Sequence, residues 1–158
     1  MKIEIINPIE YPDWDGMLLA HENASFFHTS AWAKVLSESY SYKPLYFTSI
    51  ENGKLVSLIP LMEVKSFLTG KRGVSLPFTD HCPQIFNDPV ILEEILNTVI
   101  EYGKKAGWKH IDLRGDNAYF NGKSASTSFF EHFLDLSQGK EVIFSELRYY
   151  IICLFAHN

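Results

Sequence analysis

Leu45-Tyr-Phe-Thr-Ser-Ile-Glu-Asn-Gly-Lys-Leu-Val-Ser-Leu-Ile59 decides the fold class of this chain. Two runs rich in β-branched and aromatic residues flank Glu51-Asn52-Gly53-Lys54. Asn-Gly accepts positive φ at both central positions of a type I′ turn, and the twist of that turn matches antiparallel strands. The stretch therefore predicts a β-hairpin. Pro60 follows it and has no N–H for a ladder bond, which places that point at a bulge or a sheet edge. The second strand is expected to resume through Leu61–Val64.

Downstream, Asp88-Pro89 opens the clearest helix, with Asp88 at the N-cap and Pro89 at the first helical position. Ile91/Leu92, Ile95/Leu96 and Val99/Ile100 recur at steps of three and four and form its expected buried face. Gly103 and Gly107 bracket its end. His110–Arg114 then reads as a strand with Ile111 and Leu113 on one face. Phe67–Gly73 reads as a loop, Val74–Leu76 as a short strand ended by Pro77, and 79–87 as irregular.

Upstream, Lys2–Ile6 is strand-like and Asn7-Pro8 stops it. Pro12 begins a short helix reaching about His21, and 23–28 is a loop. Thr29 or Ser30 caps a helix ending near Tyr40, with Trp32, Val35 and Leu36 on one face. At the other end, Asn117–Ser128 is polar, Phe129–Leu136 is strand-like, and Ser137 caps a last amphipathic helix through Arg148. The sum is an α/β (α+β) domain with a mixed central sheet flanked by helices.

The chain has 158 residues, enough for one domain with a substantial core, and its composition is ordinary for a globular protein: 46% hydrophobic, 21% charged. A net charge of −5 gives no nucleic-acid footprint. The densest basic run, Lys65 to Arg72, is short and reads as a solvated loop. The two cysteines, Cys82 and Cys153, suggest no disulfide framework. No signal peptide or membrane span is visible, and the chain is expected to be cytoplasmic.

Asp80-His81-Cys82 is the one close grouping of acid, imidazole and thiol. His81 is placed to activate Cys82 or act as a base, against the plainer reading of a loop that lines a cleft. Arg114 and Asp112 share a strand face, which suits either a bidentate anion contact or a structural ion pair. His28 beside Trp32 is a capping or packing residue with a ligand contact as its alternative. The aromatic set Phe26, Phe27, Trp32, Tyr40, Tyr42, Tyr46 and Phe47 reads as core. His and Cys show no metal-ligand spacing, and neither a nucleophile elbow nor a phosphate loop is present. No metal, cofactor or catalytic residue is assigned.

Phe27-His28-Thr29-Ser30-Ala31-Trp32, Tyr42-Lys43-Pro44-Leu45-Tyr46, Leu55-Val56-Ser57-Leu58-Ile59-Pro60-Leu61 and Gly73-Val-Ser-Leu-Pro77-Phe-Thr-Asp80 resemble, in their order and spacing, segments of FemAB-like proteins. Ile111–Arg114 and Phe133–Ser137 extend the resemblance over most of the chain. Those proteins are peptidoglycan-bridge and exopolysaccharide-associated acyltransferases built from domains like the GNAT acetyltransferases. The resemblance implies two such domains in a full-length protein, with 1–148 here corresponding to the first. It implies an acyl donor, acyl-CoA or aminoacyl-tRNA, held mainly by the second domain. It also implies a glycan or peptide acceptor near Phe78, Asp80, His81 and Cys82, with Arg114 as a candidate anion anchor. GNAT enzymes cradle acyl-CoA pyrophosphate on an Arg/Gln-x-x-Gly-x-Gly/Ala loop that leads into a helix. Gly70-Lys-Arg-Gly73 is the nearest glycine-rich stretch, and it leads into a strand.

After Arg148 the sequence departs from that pattern. Tyr149–Phe155 is a run of seven uncharged residues, with the composition of a buried or intermolecular strand. The expectation is an acyltransferase half, truncated, frameshifted or an unusual natural variant, that is inactive alone. The alternative is a stand-alone GNAT-like binding or interaction module that dimerises through Tyr149–Phe155.

Overall fold

The structure, a computed structural model of the chain, describes residues 2–79, 82–115, 127 and 136–145. The chain divides into two compact units, Met1–Ser124 and Ala125–Asn158.

In the first unit, β1 (Ile3–Ile6), β2 (Lys43–Glu51), β3 (Lys54–Ser66), β4 (Gly70–Val74) and β6 (Trp108–Asp112) lie side by side in the order β1-β2-β3-β4-β6. The short β5 (Ile85–Phe86) pairs with β3 off this path. All pairs are antiparallel except β4 with β6. A parallel pair needs a long crossover, and α3 (Pro89–Ala106) lies within it.

The hairpin forms as its turn chemistry dictates. Asn52 and Gly53 both take positive φ, 51° and 73°, and Glu51 pairs with Lys54. Pro60 meets the second of its two expected settings, a local sheet edge. It pairs with Tyr46 in unbroken register, and the bulge falls at Ser49/Ile50 instead. On its other flank β3 pairs with β5 only at Ser57 and Leu58 and with β4 only from Met62 onward. Pro60 therefore sits in the gap where that flank has no partner. The loop expected at Phe67–Gly73 is a tight turn followed by β4, and Ser66 pairs with Gly70. β4 ends at Val74, although the Ser75 amide still bonds the Asp112 carbonyl at 2.8 Å.

The side chains of β2 and β3 alternate between two cores. On one face Tyr46, Leu58 and Met62 pack with Trp14 and Leu18 of α1 (Trp14–Leu19) and with Ala33 and Leu36 of α2 (Ser30–Tyr40). On the other, Leu45, Phe47, Ile59 and Leu61 meet Leu92, Ile95 and Val99 of α3. With both faces covered, β2 is buried almost from end to end, including its polar Thr48 and Ser49.

The helices begin where their caps stand. Thr29 Oγ1 accepts from the Trp32 amide, and the Asp88 carboxylate accepts from the Val90 amide. Gly107, at φ 74°, terminates α3 in the left-handed conformation that glycine supplies. Two details of the helix faces differ from the periodic pattern. Val35 is exposed on α2, where Ala33 and Leu36 are buried. On α3 Leu92, Ile95 and Val99 carry the buried stripe, Ile91 and Leu96 flank it half-buried, and Ile100 is exposed. Phe26–His28, read as loop, forms a 3₁₀ turn.

In the second unit the described residues comprise a 3₁₀ turn, Leu136–Gln138, and a helix over 140–145. That helix follows Gly139 (φ 82°), so Ser137 lies in the preceding turn and not at its cap. Of the strand expected at Phe129–Leu136 only Leu136 is described, in that 3₁₀ turn; its other residues and the Tyr149–Phe155 segment, with the dimer contact expected of it, lie outside the described residues. Among the described residues no helix is long and apolar enough to cross a membrane.

Candidate functional site

β4 and β6 run parallel, so the segments that leave their C-terminal ends emerge on the same side of the sheet. Those segments are 75–84, on the way to β5, and 113–115. Several short contacts tie them together. Arg114 donates Nη1 to the Thr79 carbonyl at 2.8 Å. Gln84 Nε2 donates to the Arg114 carbonyl at 3.3 Å. Gly115 takes φ 117° where a Cβ would stand only 3.0 Å from Pro83 Cα, so glycine permits the close approach.

The first turn of 75–84 is strained. Leu76 and Phe78, on either side of Pro77, take φ 42° and 66°. Left-handed backbone costs a residue with a Cβ about 1–2 kcal/mol. Burial of Leu76, a bond from Thr79 Oγ1 to the Leu76 carbonyl (2.9 Å) and the Arg114 bond to Thr79 offset that cost. The conformation turns the Phe78 ring outward, 58% exposed. It rests on Tyr40 at 4.6 Å between centroids, and Tyr40 stacks on Tyr42 at 5.5 Å with 23° between planes. Three rings, from the end of α2, the α2–β2 connection and the loop, thus form one partly exposed aromatic surface.

Beneath this surface the polar groups are buried. His28 is fully enclosed, and its ring bonds fix its tautomer. The Ser25 amide can only donate, so Nδ1 accepts from it at 3.1 Å. The Pro83 carbonyl can only accept, so Nε2 carries the proton and donates to it at 3.0 Å. Cys82 Sγ lies 3.6 Å from the same Nε2. Burial pushes the Cys82 thiol up to about 12, and the nearby Ser75 hydroxyl and Arg114 guanidinium only partly oppose it. A thiol held protonated at neutral pH is no nucleophile. Tyr46 is likewise driven well above the usual phenol range by burial, then by the proximity of Cys82 and Asp15. Among the described residues Tyr46 Oη and Gln84 Oε1 are buried without a hydrogen-bond partner.

Of the residues singled out in the sequence, Phe78 and Arg114 lie on linked segments at the strand ends, and Cys82 lies inside them. Asp80 and His81 lie outside the described residues. Arg114 also approaches Asp112 at 3.7 Å, so its guanidinium serves both the loop and an ion pair. His28 was read as a capping or packing residue and does both: it closes the Ser25 capping box, and its carbonyl accepts from Trp14 Nε1 at 3.0 Å. Its proximity to Cys82 and Pro83, across more than fifty residues of sequence, had no local signal. Tyr40 and Tyr42, counted with the core aromatics, are surface residues here in whole or part. Among the described residues no group of three or more His, Cys, Asp or Glu side chains is placed to hold a metal ion.

Solved structures share this fold. One is a ribosomal-protein-alanine N-acetyltransferase from Brucella melitensis biovar Abortus 2308, with TM-score 0.55 and 12% identity over 85% of this chain and 97% of that one. Another is an aminoglycoside acetyltransferase from an uncultured soil metagenomic sample, with TM-score 0.54 and 16% identity over 85% of this chain and all of the other. No protein-family model and no curated protein matches the sequence. The chain therefore has a GNAT-like α/β fold, with a mixed sheet between two helical layers.

Proposed function

We propose that this chain is an acyltransferase-type domain that binds the acceptor, as the N-terminal half of a FemAB-like enzyme modifying peptidoglycan or another envelope glycan. The observation that carries this reading is the convergence of 75–79 and 113–115 beyond the C-terminal ends of the parallel strands β4 and β6. Open α/β sheets bind their ligands at such positions. The exposed Phe78–Tyr40–Tyr42 surface and Arg114 supply an apolar face and a cation there.

Acceptor binding is favoured over donor binding by the start of α3. A pyrophosphate is held by free amides at a helix N-terminus. Here the Asp88 carboxylate already accepts from the Val90 amide, and Pro89 has no amide to offer. A second anion at that end meets a fixed negative charge. In this reading the acyl donor, acyl-CoA or aminoacyl-tRNA, is held by other elements, and the chain alone does not turn over.

Calorimetric titration with acetyl-CoA, followed by chemical-shift mapping with a disaccharide-peptide fragment of peptidoglycan, tests the reading. Acetyl-CoA is expected to give no saturable heat, and the fragment is expected to shift resonances of 76–79 and 112–115. Submillimolar, saturable acetyl-CoA binding overturns the acceptor-half assignment. Shifts confined to a distant surface overturn the site.

A further inference from the structure

The tip of the β3–β4 hairpin presents Phe67 and Leu68 to solvent with nothing against them. Their relative exposures are 103% and 87%, the highest of any large apolar side chains among the described residues. The turn itself is built and held. Ser66 Oγ accepts from the Thr69 amide at 3.3 Å, Arg72 donates to Thr69 Oγ1 at 2.7 Å, and Gly70 takes φ 80°. Two adjacent apolar side chains thus stand at a turn whose polar groups are bonded to one another.

The charge around this tip runs against that of the chain. The chain carries −5 overall, yet residues 63–73 contain Lys65, Lys71 and Arg72 against one carboxylate, Glu63. Glu63 is committed inward, to Trp108 Nε1 at 2.7 Å and to Lys71 at 3.9 Å. Lys109 adds a further cation, because its side chain lies along Gly70, where a Cβ would come within 2.7 Å of Cε. Lys65 and Lys71 stand directly opposite each other across the hairpin, and Arg72 stands opposite Val64. Like charges in that relation destabilise a strand pair. Successive residues of a strand point to opposite faces, so the cations flank the tip on both sides of the sheet.

We propose that the β3–β4 tip is a peripheral membrane-attachment element. Phe67 and Leu68 enter the boundary between headgroups and acyl chains of an anionic bilayer, and Lys65, Lys71, Arg72 and Lys109 meet its phosphates. A tip-first approach uses both features together. The apolar pair is at the apex, and the cations stand behind it at headgroup depth on both faces. Apolar insertion combined with attraction to anionic lipid is the arrangement by which soluble domains lie on membranes without spanning them. The cations clustered around the apolar pair match an anionic bilayer, and contact with a second copy of the chain is the alternative that the test separates from it.

Co-sedimentation with vesicles tests the proposal. The chain is expected to pellet with equimolar phosphatidylglycerol–phosphatidylcholine vesicles, to stay in solution with phosphatidylcholine alone, and to be released by high salt. The double variant Phe67→Ser/Leu68→Ser is expected to lose at least tenfold in partitioning. Its melting temperature should not change, because neither side chain is packed. Lys65→Gln and Arg72→Gln are each expected to cost about fivefold at low salt. Failure of the unaltered chain to pellet with anionic vesicles overturns the proposal, as does undiminished binding by Phe67→Ser/Leu68→Ser. If the unaltered chain is oligomeric and the double variant is a monomer, with vesicle binding absent in both, the tip is an interface between copies and the membrane assignment falls.

Discussion

His28 Nε2 donates to the Pro83 carbonyl across 3.0 Å, joining residues 55 apart in sequence. The bond ties the turn before α2 to the segment that carries Cys82, and the Ser25 amide bond at Nδ1 holds the ring in the donating tautomer. His28→Ala leaves the part-buried Pro83 carbonyl and Ser25 amide without this partner. Each lost partner costs about 1–3 kcal/mol. The variant is therefore expected to unfold at lower urea concentration, and amides of 82–86 should exchange faster. Unchanged exchange there would show that other contacts hold the segment.

Cys82 and Tyr46 make stability depend on alkaline pH. Below pH 9 both are protonated in the folded and unfolded chain, and neither contributes a slope. Above the ordinary thiol value of 9.0 the unfolded chain ionises Cys82, while the folded chain holds it protonated up to about 12. The unfolded state then binds fewer protons, so stability falls as pH rises through that window, by at most about 1.4 kcal/mol per pH unit for one group. Tyr46 adds a second decline that begins near its usual value of 10.0. Cys82→Ala should flatten the first part of the decline in urea midpoints measured from pH 8 to 11, and Tyr46→Phe the second. A decline unchanged in both variants would place its origin elsewhere.

Tyr46→Phe has a second consequence at neutral pH. Among the described residues the buried Tyr46 hydroxyl has no partner, a condition that costs about 1–3 kcal/mol. Removing it while keeping the ring against Trp14, 5.6 Å away edge-on, is expected to leave the melting temperature unchanged or higher. A clear drop would show that the hydroxyl is hydrogen-bonded in the folded chain.

Trp108 fills the space above two glycines. A Cβ on Gly73 would stand 2.3 Å from the indole, and one on Gly103 would stand 2.9 Å from it. The indole is pinned by its bond to Glu63, so it has little freedom to withdraw. Gly73→Ala is expected to cost about 1–3 kcal/mol through overpacking. Trp108→Leu in the same chain should recover part of that loss, which denaturation of the single and double variants will show. Additive losses would separate the two positions.

Local chemistry made much of this fold legible. Asn52-Gly53 announced the hairpin, and Asp88-Pro89 with Gly107 marked both ends of α3, because turns and caps depend on neighbouring residues alone. What failed to show was set by tertiary pairing. Gly70–Val74, with its glycines and charges, has weak strand character and becomes β4 through its pairing with Met62–Ser66 and the strand that follows α3. Which of its two settings Pro60 takes is decided by two short strands that leave its flank open. At the site, Phe78 and Arg114 were legible as residues following strands. The His28–Cys82–Pro83 junction and the outward Tyr40–Tyr42 pair were not, since no periodicity links residues that only the folded sheet brings together.

α3 gives the sharpest test of packing against pattern. Its apolar residues recur in pairs, so periodicity alone assigns Ile91/Leu92, Ile95/Leu96 and Val99/Ile100 equally to the buried face. The sheet selects one member of each pair: Leu92, Ile95 and Val99 are fully buried against Leu45, Phe47, Ile59 and Leu61, while Ile100 is 41% exposed. Truncating a buried aliphatic removes its transfer energy and leaves a cavity, and Ile95→Ala should cost about 2–5 kcal/mol. Ile100→Ala opens no enclosed space and gains helix propensity, so it should stay within about 0.5 kcal/mol of the parent. Half-buried Leu96 should fall between the two when Leu96→Ala is measured in the same urea series. Equal losses at Ile95 and Ile100 would mean that α3 is rotated on the sheet from the orientation described.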